Sequence, residues 1–489
     1  MINTVQKLLD GLNRLVEALF DRSKEKDFAW LPWLWLAGLF AAGVFLWGKF
    51  LNWGSIPFDW LDWAEINAPR TAFLKDAITK GVLPLHMPDS SALRGITDRF
   101  LCMVDPILSP QVILLRFMEV GQFFLVHTLL LYTLGAAGLL WFRRKFNLSL
   151  VAFTALFLLF NFNGHLLAHY SVGHVTWGGS LLFPWFLVLI FQLLEGDESW
   201  AWVAKTSLLL FFIWLQGSFH QYVWGLMFLA LIGLTGWREF RQALKTGVCT
   251  VLLSMVRILP PALFASQFDD EFLGGYPTLM DILKSMVTIV YPADAIDIRT
   301  MINPFAWWEF DLYLGLVGAF FFLYFGVYRW IKRGAADRGY PALLLPSMVM
   351  LVWSVGRIYR VVRLIPIPLL SGERASIRMV LLPFLVLLIL GAGEFQHWLD
   401  QHKQPLVVRL SELGLLLIMG HDLWQHLKVW QVTNAVSAFP LARVDLSIKV
   451  VANHPDAPYT TALAVGAGVT LLTLVFLVVQ WVRSSRKTT

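Results

Sequence analysis

The feature that most limits what this chain can fold into is its series of uninterrupted apolar runs, each of roughly 20 residues. The chain is 489 residues long, and 57% of them are hydrophobic. A run of this length crosses a hydrocarbon core as one helix, and so many runs exceed what a soluble domain buries. They lack the alternation of polar and apolar residues that is typical of outer-membrane barrels. The sequence therefore predicts an all-α membrane protein.

Counting the runs gives about twelve transmembrane helices, with a range of roughly 10 to 13. Charged residues interrupt the eleventh run, and Arg257 with Pro260-Pro261 predicts a break in the seventh. The predicted spans are about 28–51, 112–142, 148–162, 178–194, 202–216, 220–237, 246–265, 312–331, 341–356, 377–393, 406–424 and 461–482.

The positive residues predict the orientation of these spans. Lysines and arginines cluster before the first span, at Arg143-Arg144-Lys145, and after the last span at 483–487. Because cytoplasmic loops carry such clusters, both termini are predicted to be cytoplasmic. The formal charge of +6 then reflects topology, and no continuous basic face indicates a nucleic-acid partner.

Three parts of the chain are expected. Residues 1–27 predict a cytoplasmic amphipathic surface helix, because Val5, Leu12 and Leu19 share one helical face. Residues 28–395 form a transmembrane core, and residues 396–489 form a C-terminal transmembrane part. The long first outer loop, about 52–110, is expected to contain a helix over 64–81 that lies along the outer surface.

An acidic stretch follows the first span. Asp59, Asp62 and Glu65 lie at three-residue spacing among tryptophans, so on a helix they would share one side. A carboxylate at the membrane boundary can serve as a general base. The alternative is a hydrated loop whose tryptophans mark the membrane interface.

Five arginines fall near the outer face, against the positive-inside rule. They could clamp a phosphate, because the guanidinium fork matches phosphoryl oxygens. Side chains that extend to the interface are the alternative. A voltage sensor is disfavoured, since only three arginines repeat before Pro366. The five are Arg357, Arg360, Arg363, Arg374 and Arg378.

Two further polar sets lie at the predicted outer boundary. His165, His169 and His174 fall within ten residues and suit either a divalent cation or hydrogen bonds to substrate. Glu309 and Asp311 head the eighth span, where they could bind an acceptor or stabilise the start of a helix.

Several phrases in the chain resemble the GT-C superfamily of polytopic membrane glycosyltransferases, over about residues 28–395. The first is the acidic motif Phe58-Asp59-Trp60-Leu61-Asp62 after the first span, which leads into a long outer loop. The others are similar to phrases in bacterial members: residues 81–88, 105–110, 173–177 and 371–378.

The resemblance implies a GT-C-like bundle in a bacterial inner (cytoplasmic) membrane. It implies an inverting enzyme that moves a sugar from a polyprenyl-phosphate carrier to a glycan, lipid or protein acceptor on the outer face. Asp59 or Asp62 would be the catalytic base, and the arginines would hold the departing phosphate. The family's motif often has adjacent acids, whereas two residues separate these, so which acid is the base stays open. Glu65, the three histidines, Glu309 and Asp311 are expected to bind substrate.

No cofactor is implied for certain, and a divalent cation stays open. The alternative function is a non-catalytic accessory or scaffold subunit of a larger membrane complex, whose tryptophan-rich faces contact partner membrane subunits. A transporter is disfavoured because the sequence has no two related halves.

Overall fold

The described part of the chain is helical, in agreement with the sequence prediction. A computed structural model describes residues 2–88, 90–93, 95–264, 273–296, 305–333, 340–365, 373–402, 404–438 and 453–486. Within these ranges, extended pairing is limited to isolated bridges such as that between Gly274 and Ala375. The prediction of an all-α polytopic membrane protein is therefore confirmed.

The helices follow the apolar runs closely. The α-helices are Ile2–Phe20, Trp30–Phe50, Ala68–Lys80, Val120–Lys145, Leu150–Asn161, Gly164–Ser171, Phe183–Leu194, Trp200–Leu215, Phe219–Gly233, Trp237–Leu253, Met255–Ala262, Leu279–Ser285, Trp307–Phe310, Gly315–Phe321, Trp330–Arg333, Leu344–Trp353, Gly356–Val362, Leu381–Gln401, Leu406–Val429, Val432–Ala438 and Ala457–Ser485. Two π-helices, Trp63–Asn67 and Phe322–Arg329, and several 3₁₀ turns connect them.

Seven helical stretches of the described chain are long and apolar enough to cross a membrane, or eight with one bent pair. Three shorter apolar helices coincide with the fifth, sixth and ninth predicted spans. The eleventh corresponds to Leu406–Val429, which carries the charged residues Arg409, Glu412 and Asp422. The seven are Trp30–Phe50, Val120–Lys145, Leu150–Ser171, Val175–Leu194, Trp307–Lys332, Ser376–Gln401 and Ala457–Ser484.

Burial separates the spans at the centre of the bundle, here called inner spans, from those at its periphery. The most apolar windows of Leu150–Ser171 and Ser376–Gln401 are 94% and 89% buried, whereas those of Trp30–Phe50 and Ala457–Ser484 are 22% and 17% buried. Helices that are apolar all round belong in a core or against lipid. The first and last spans therefore present the lipid-facing surface, and the inner spans carry the site residues. Leu381–Gln401 runs across residue 395, where the core was expected to end.

The N-terminal helix Ile2–Phe20 packs against the protein at its C-terminal end, where Val16, Leu19 and Phe20 are buried. Leu9 and Leu12 remain exposed, as an amphipathic surface helix requires. The following turn attaches to the basic end of Val120–Lys145, where Arg143 pairs with Glu25. The N-terminal segment thus lies at the same end of the bundle as the basic sequence Arg143-Arg144-Lys145.

The first loop contains the expected helix, Ala68–Lys80. It ends at Gly81, whose φ of 66° is the left-handed conformation that favours glycine after a helix. The helix is buried under other parts of the loop, because Arg70 donates to Ala92 O at 2.7 Å and pairs with Asp105 at 2.6 Å.

The seventh span is broken, as predicted. Trp237–Leu253 and Met255–Ala262 meet at an angle of 66°. The second piece carries Arg257, which donates to the carbonyls of Met103 and Val104 at 3.0 Å each. A buried guanidinium therefore joins the broken span to the end of the first loop.

Candidate functional site

The acidic motif is fixed against the turn that follows Gly164–Ser171. Trp63 donates through its indole N–H to Ser171 O at 3.1 Å, and Asn67 donates to Gly173 O at 2.5 Å. Gly173 has φ of +94°, and a Cβ there would lie 2.3 Å from Trp63 N. A glycine is therefore required for the close approach of the two segments.

This packing brings Asp62 to His174. The carboxylate Oδ2 lies 3.5 Å from the imidazole Nε2, and the Asp62 side chain is 34% exposed. Two non-glycine residues beside the acids, Phe58 and Leu61, have φ of 46° and 40°. Left-handed backbone is strained for such residues and concentrates at functional sites.

The three acids do not share one side of a helix, contrary to the prediction from their spacing. Asp59 lies before the helical segment, half-buried, and has no polar contact among the described residues. Glu65 lies on the π-helix Trp63–Asn67 and is exposed. The wider turn of a π-helix changes the angular spacing that an α-helix would give. Asp62 is the acid that joins the site.

The three histidines come together on one side of Trp177. His169 and His174 share a hydrogen bond between their Nδ1 atoms at 2.6 Å, so one of the two rings carries its proton there. Trp177 stacks on His169 with ring centroids 4.0 Å apart. His165 is fixed by a hydrogen bond from Nδ1 to Asp311 O at 3.0 Å. The structure therefore brings the three rings together, with His169 next to both His165 and His174.

Glu309 and Arg378 form the buried base of the site. Arg378 donates through Nε and Nη2 to the two carboxylate oxygens of Glu309, at 2.7 and 2.5 Å. Nε2 of His169 lies 3.7 Å from the same carboxylate. The Glu309 side chain is 4% exposed, whereas that of Arg378 is 17% exposed. The guanidinium therefore reaches the space above the acid.

A second acid, Glu373, was not predicted as a site residue. It accepts hydrogen bonds from His220 Nδ1 at 3.0 Å, Trp224 Nε1 at 3.1 Å and Ala375 N at 2.9 Å. Burial raises the pKa of this carboxyl, but the charge and hydrogen bond of His220 and the backbone donor outweigh it, so that the pKa falls to about 2. Glu373 also attracts Arg378. The sequence signal that could have identified Glu373 was its position in the segment 371–378. Residues 371 and 372 of that segment lie outside the described residues.

Burial favours the neutral form of His174. Burial lowers the pKa of His174, and the opposing attraction of Asp62 does not restore it. Arg378 lowers it further, while Glu309 raises it. As a neutral imidazole, His174 lies 3.5 Å from Asp62 without neutralising the charge of the carboxylate. We call the group Asp62, His165, His169, His174, His220, Glu309, Glu373 and Arg378 the histidine–acid cluster.

Asp311 does not belong to the cluster, contrary to the prediction. Its carboxylate accepts hydrogen bonds from His426 Nε2 at 2.9 Å, Trp307 Nε1 at 3.1 Å and Tyr313 N at 2.9 Å, and it is fully buried. Protein donors thus bind both oxygens, so this fully buried side chain links Trp307, Tyr313 and His426 inside the bundle.

Of the five arginines, Arg378 enters the cluster. Arg357 and Arg360 lie on Gly356–Val362, whose buried residue is Tyr359, and both are exposed. Arg363 follows that helix and is half-buried. Arg374 contributes its carbonyl oxygen to Gly274 N at 2.9 Å. Arg357 and Arg360 are exposed because their helix packs through Tyr359, which lies between them.

A metal cation could be considered as a ligand of the histidine–acid cluster. One ligand atom from each of His169, His174 and Glu309 lies within 4.8 Å of the others. However, Arg378 already binds both oxygens of Glu309, and its positive charge repels a cation at that position. The residues therefore fit an anionic group beside Arg378 better than a metal ion.

Comparison with known proteins adds a structural likeness. No family model and no curated protein matches the chain. It is similar to a solved structure described as the single-particle cryo-EM structure of the arabinofuranosyltransferase AftD from mycobacteria. The TM-score is 0.47 and the identity is 13%, over 81% of this chain and 27% of that chain. The likeness thus spans about a quarter of the length of that chain.

Proposed function

We propose that this protein is a membrane glycosyltransferase that transfers a sugar from a polyprenyl-phosphate carrier to a glycan, lipid or protein acceptor. One observation carries the proposal. A half-exposed carboxylate, Asp62, and a partly exposed guanidinium, Arg378, stand at the two ends of one series of polar contacts through His174, His169 and Glu309.

Asp62 suits the role of general base. Its side chain is accessible, and the neutral His174 leaves its negative charge in place. In the proposed step, Asp62 takes the proton of an acceptor hydroxyl as the acceptor oxygen bonds to the anomeric carbon. The bond from that carbon to the carrier phosphate breaks, and the electron pair stays on the phosphate oxygen. Attack opposite to the leaving phosphate inverts the anomeric carbon.

Arg378 suits the departing phosphate. Two of its nitrogens bind Glu309, and within the described residues Nη1 has no hydrogen-bond acceptor. A fixed guanidinium stabilises negative charge as it develops, because it needs no reorganisation during the reaction. Glu309 and Glu373 hold Arg378 in position from the buried side. His220, 34% exposed and bound to Glu373, is a further donor at the rim.

The proposed setting is a bacterial inner membrane, with the cluster on the outer face and both termini in the cytoplasm. The positive-inside pattern of the sequence supports this orientation. Glu65, which is exposed near Asp62, is proposed to contact the acceptor.

The test is incorporation of radiolabelled sugar into acceptor by membranes that contain the wild type or one variant. A panel of polyprenyl-phosphate-linked sugars serves as donor. Asp62→Asn is expected to lower incorporation by about 100-fold or more, the usual contribution of a general base. Asp281→Asn is the matched control, because Asp281 is 31% exposed and lies on another helix. Equal incorporation by Asp62→Asn and the wild type would reject Asp62 as the base, and no transfer from any donor would reject the transferase function.

A further inference from the structure

A second group of polar side chains lies outside the histidine–acid cluster, where the first loop meets the start of the last span. His454 Nε2 lies 2.7 Å from Asp98 Oδ2, and the rings of His86 and His454 lie 3.7 Å apart at 32°. One ligand atom from each of His86, Asp98 and His454 lies within 4.8 Å of the others. We call these three residues the outer-loop triad.

The surroundings of His86 are those of a metal-binding imidazole. The residue is 2% exposed, and its Nε2 lies 3.4 Å from Asp456 Oδ2. Asp456 is itself fixed by Arg99, which binds both of its oxygens. A carboxylate behind one ring nitrogen holds the proton there and makes the other nitrogen a ligand. That other nitrogen, Nδ1, is buried and has no hydrogen-bond partner in the described structure.

We propose that the outer-loop triad binds one Zn²⁺ ion, through a ring nitrogen of His86, a ring nitrogen of His454 and the carboxylate of Asp98. Two imidazoles and a carboxylate are ligands that zinc takes in tetrahedral sites, with a water molecule as the fourth. Ligand atoms around zinc are about 3.3 Å apart at metal–nitrogen distances of about 2.0 Å. The ligand atoms therefore have to approach by about 1.5 Å at most, and the rings of His86 and His454, 3.7 Å apart, have to turn so that one nitrogen of each points to the ion.

The exposed members of the triad allow this contraction. The side chains of Asp98 and His454 are 43% and 54% exposed, so that both can move and an ion can enter from solvent. The charges also suit a cation, because the two negative charges of Asp98 and Asp456 outnumber the single positive charge of Arg99. This distinguishes the triad from the histidine–acid cluster, where Arg378 occupies the oxygens of Glu309.

A bound ion would link distant parts of the chain. His86 and Asp98 belong to the first loop, and His454 precedes the helix Ala457–Ser485. Asn453 already donates to Leu83 O at 3.2 Å, and Tyr459 donates to Leu85 O at 3.2 Å. The ion would add coordinate bonds to this contact and stabilise the attachment of the last span. This inference does not depend on the proposed transferase activity.

The experiment measures zinc bound to the full-length protein in detergent, after removal of metals with a chelator. Isothermal titration with ZnCl₂ and elemental analysis after gel filtration are expected to show one ion per chain. Saturating zinc is expected to raise the melting temperature by a few degrees, because only the folded chain has the complete site. His454→Gln should weaken binding by at least tenfold and remove the shift. We expect this variant to fold, because the His454 side chain is exposed.

Two control variants locate the ion. His174→Gln removes a member of the alternative three-ligand group, and His402→Gln removes an exposed histidine elsewhere. Both are expected to bind zinc as the wild type does. Loss of binding in His174→Gln with retention in His454→Gln would overturn the proposal. So would the absence of bound zinc in the wild type.

Discussion

Glu309 binds Arg378 through both carboxylate oxygens, so the charge of each residue is matched by the other inside the bundle. The same carboxylate lies 3.7 Å from His169. An arginine fixed in this way keeps one edge of its guanidinium for a ligand and cannot turn to follow it. In the proposed function, the geometry of the pair determines where the departing phosphate is held.

Breaking this pair should destabilise the protein. Glu309→Gln or Arg378→Gln is expected to cost about 3 kcal/mol in the free energy of unfolding, at the lower end for a buried pair because Arg378 reaches solvent. The double variant should cost less than the sum of the two, since neither charge is left unpaired. Unfolding in mixed micelles measures all three. Additive costs would show that the two side chains do not interact.

The structure also distinguishes the two candidate bases. Asp62 contacts His174, whereas Asp59 has no polar contact among the described residues. We expect Asp59→Asn to keep transfer within about tenfold of the wild type and Asp62→Asn to lose it by about 100-fold. The measurement is the rate of sugar incorporation at saturating donor. The reverse order of the two variants would assign the base to Asp59.

Gly173 is expected to control the position of Asp62. Gly173→Ala places a Cβ 2.3 Å from Trp63 N, so the acidic motif has to move. A displacement of about 1 Å can lower activity by about 100-fold. Gly81→Ala is the matched control, because Gly81 also has positive φ but its Cβ would meet nothing within 4 Å. That variant should lose about 1 kcal/mol of stability and keep its activity. Equal activities of the two variants would contradict this role for Gly173.

Glu373 makes stability depend on pH in the acid range. Its pKa falls from 4.5 in an unperturbed carboxyl to about 2, so its ionised form favours the folded state. The contribution, on the order of 3 kcal/mol, is present above about pH 4.5 and is lost as the pH falls towards 2. Thermal melts of the wild type and Glu373→Gln should differ at pH 7 and converge over this range. A difference that is constant with pH would contradict the assignment.

The proposed orientation can be tested with single cysteines. Both native cysteines, Cys102 and Cys249, are buried and unpaired and can be replaced by alanine. We expect an impermeant maleimide to label Glu65→Cys in intact cells and Arg144→Cys only in inverted membrane vesicles, since both positions are exposed. The opposite labelling would place the histidine–acid cluster on the cytoplasmic side.

The helices could be predicted because an apolar run in a membrane has to form its backbone hydrogen bonds within the run, and a helix does this. Gly81 could be predicted as the end of the loop helix because it follows helix-forming residues. Arg378, His169 and Glu309 could be predicted as candidate site residues, because charged and imidazole side chains at a membrane boundary are costly and usually functional.

Other residues of the site depended on tertiary contacts that spacing does not encode. Glu373 and His220 are 153 residues apart, and neither has a local pattern that indicates the other. Asp311 was assigned to substrate binding because it heads the eighth predicted span, and spacing does not indicate its partner His426, which lies 115 residues further along the chain. Glu65 lies on a π-helix and Asp59 lies before it, an arrangement that the residue types do not reveal.

The contact between Arg99 and Asp456 joins positions 357 residues apart. During synthesis, the first loop emerges long before the segment that completes its packing, so His86 and Arg99 have to wait for nearly the entire polypeptide. Contacts of such long sequence separation form late and slowly. A chain that lacks the last span would therefore have a first loop whose packing is incomplete, because Arg99 would be without Asp456.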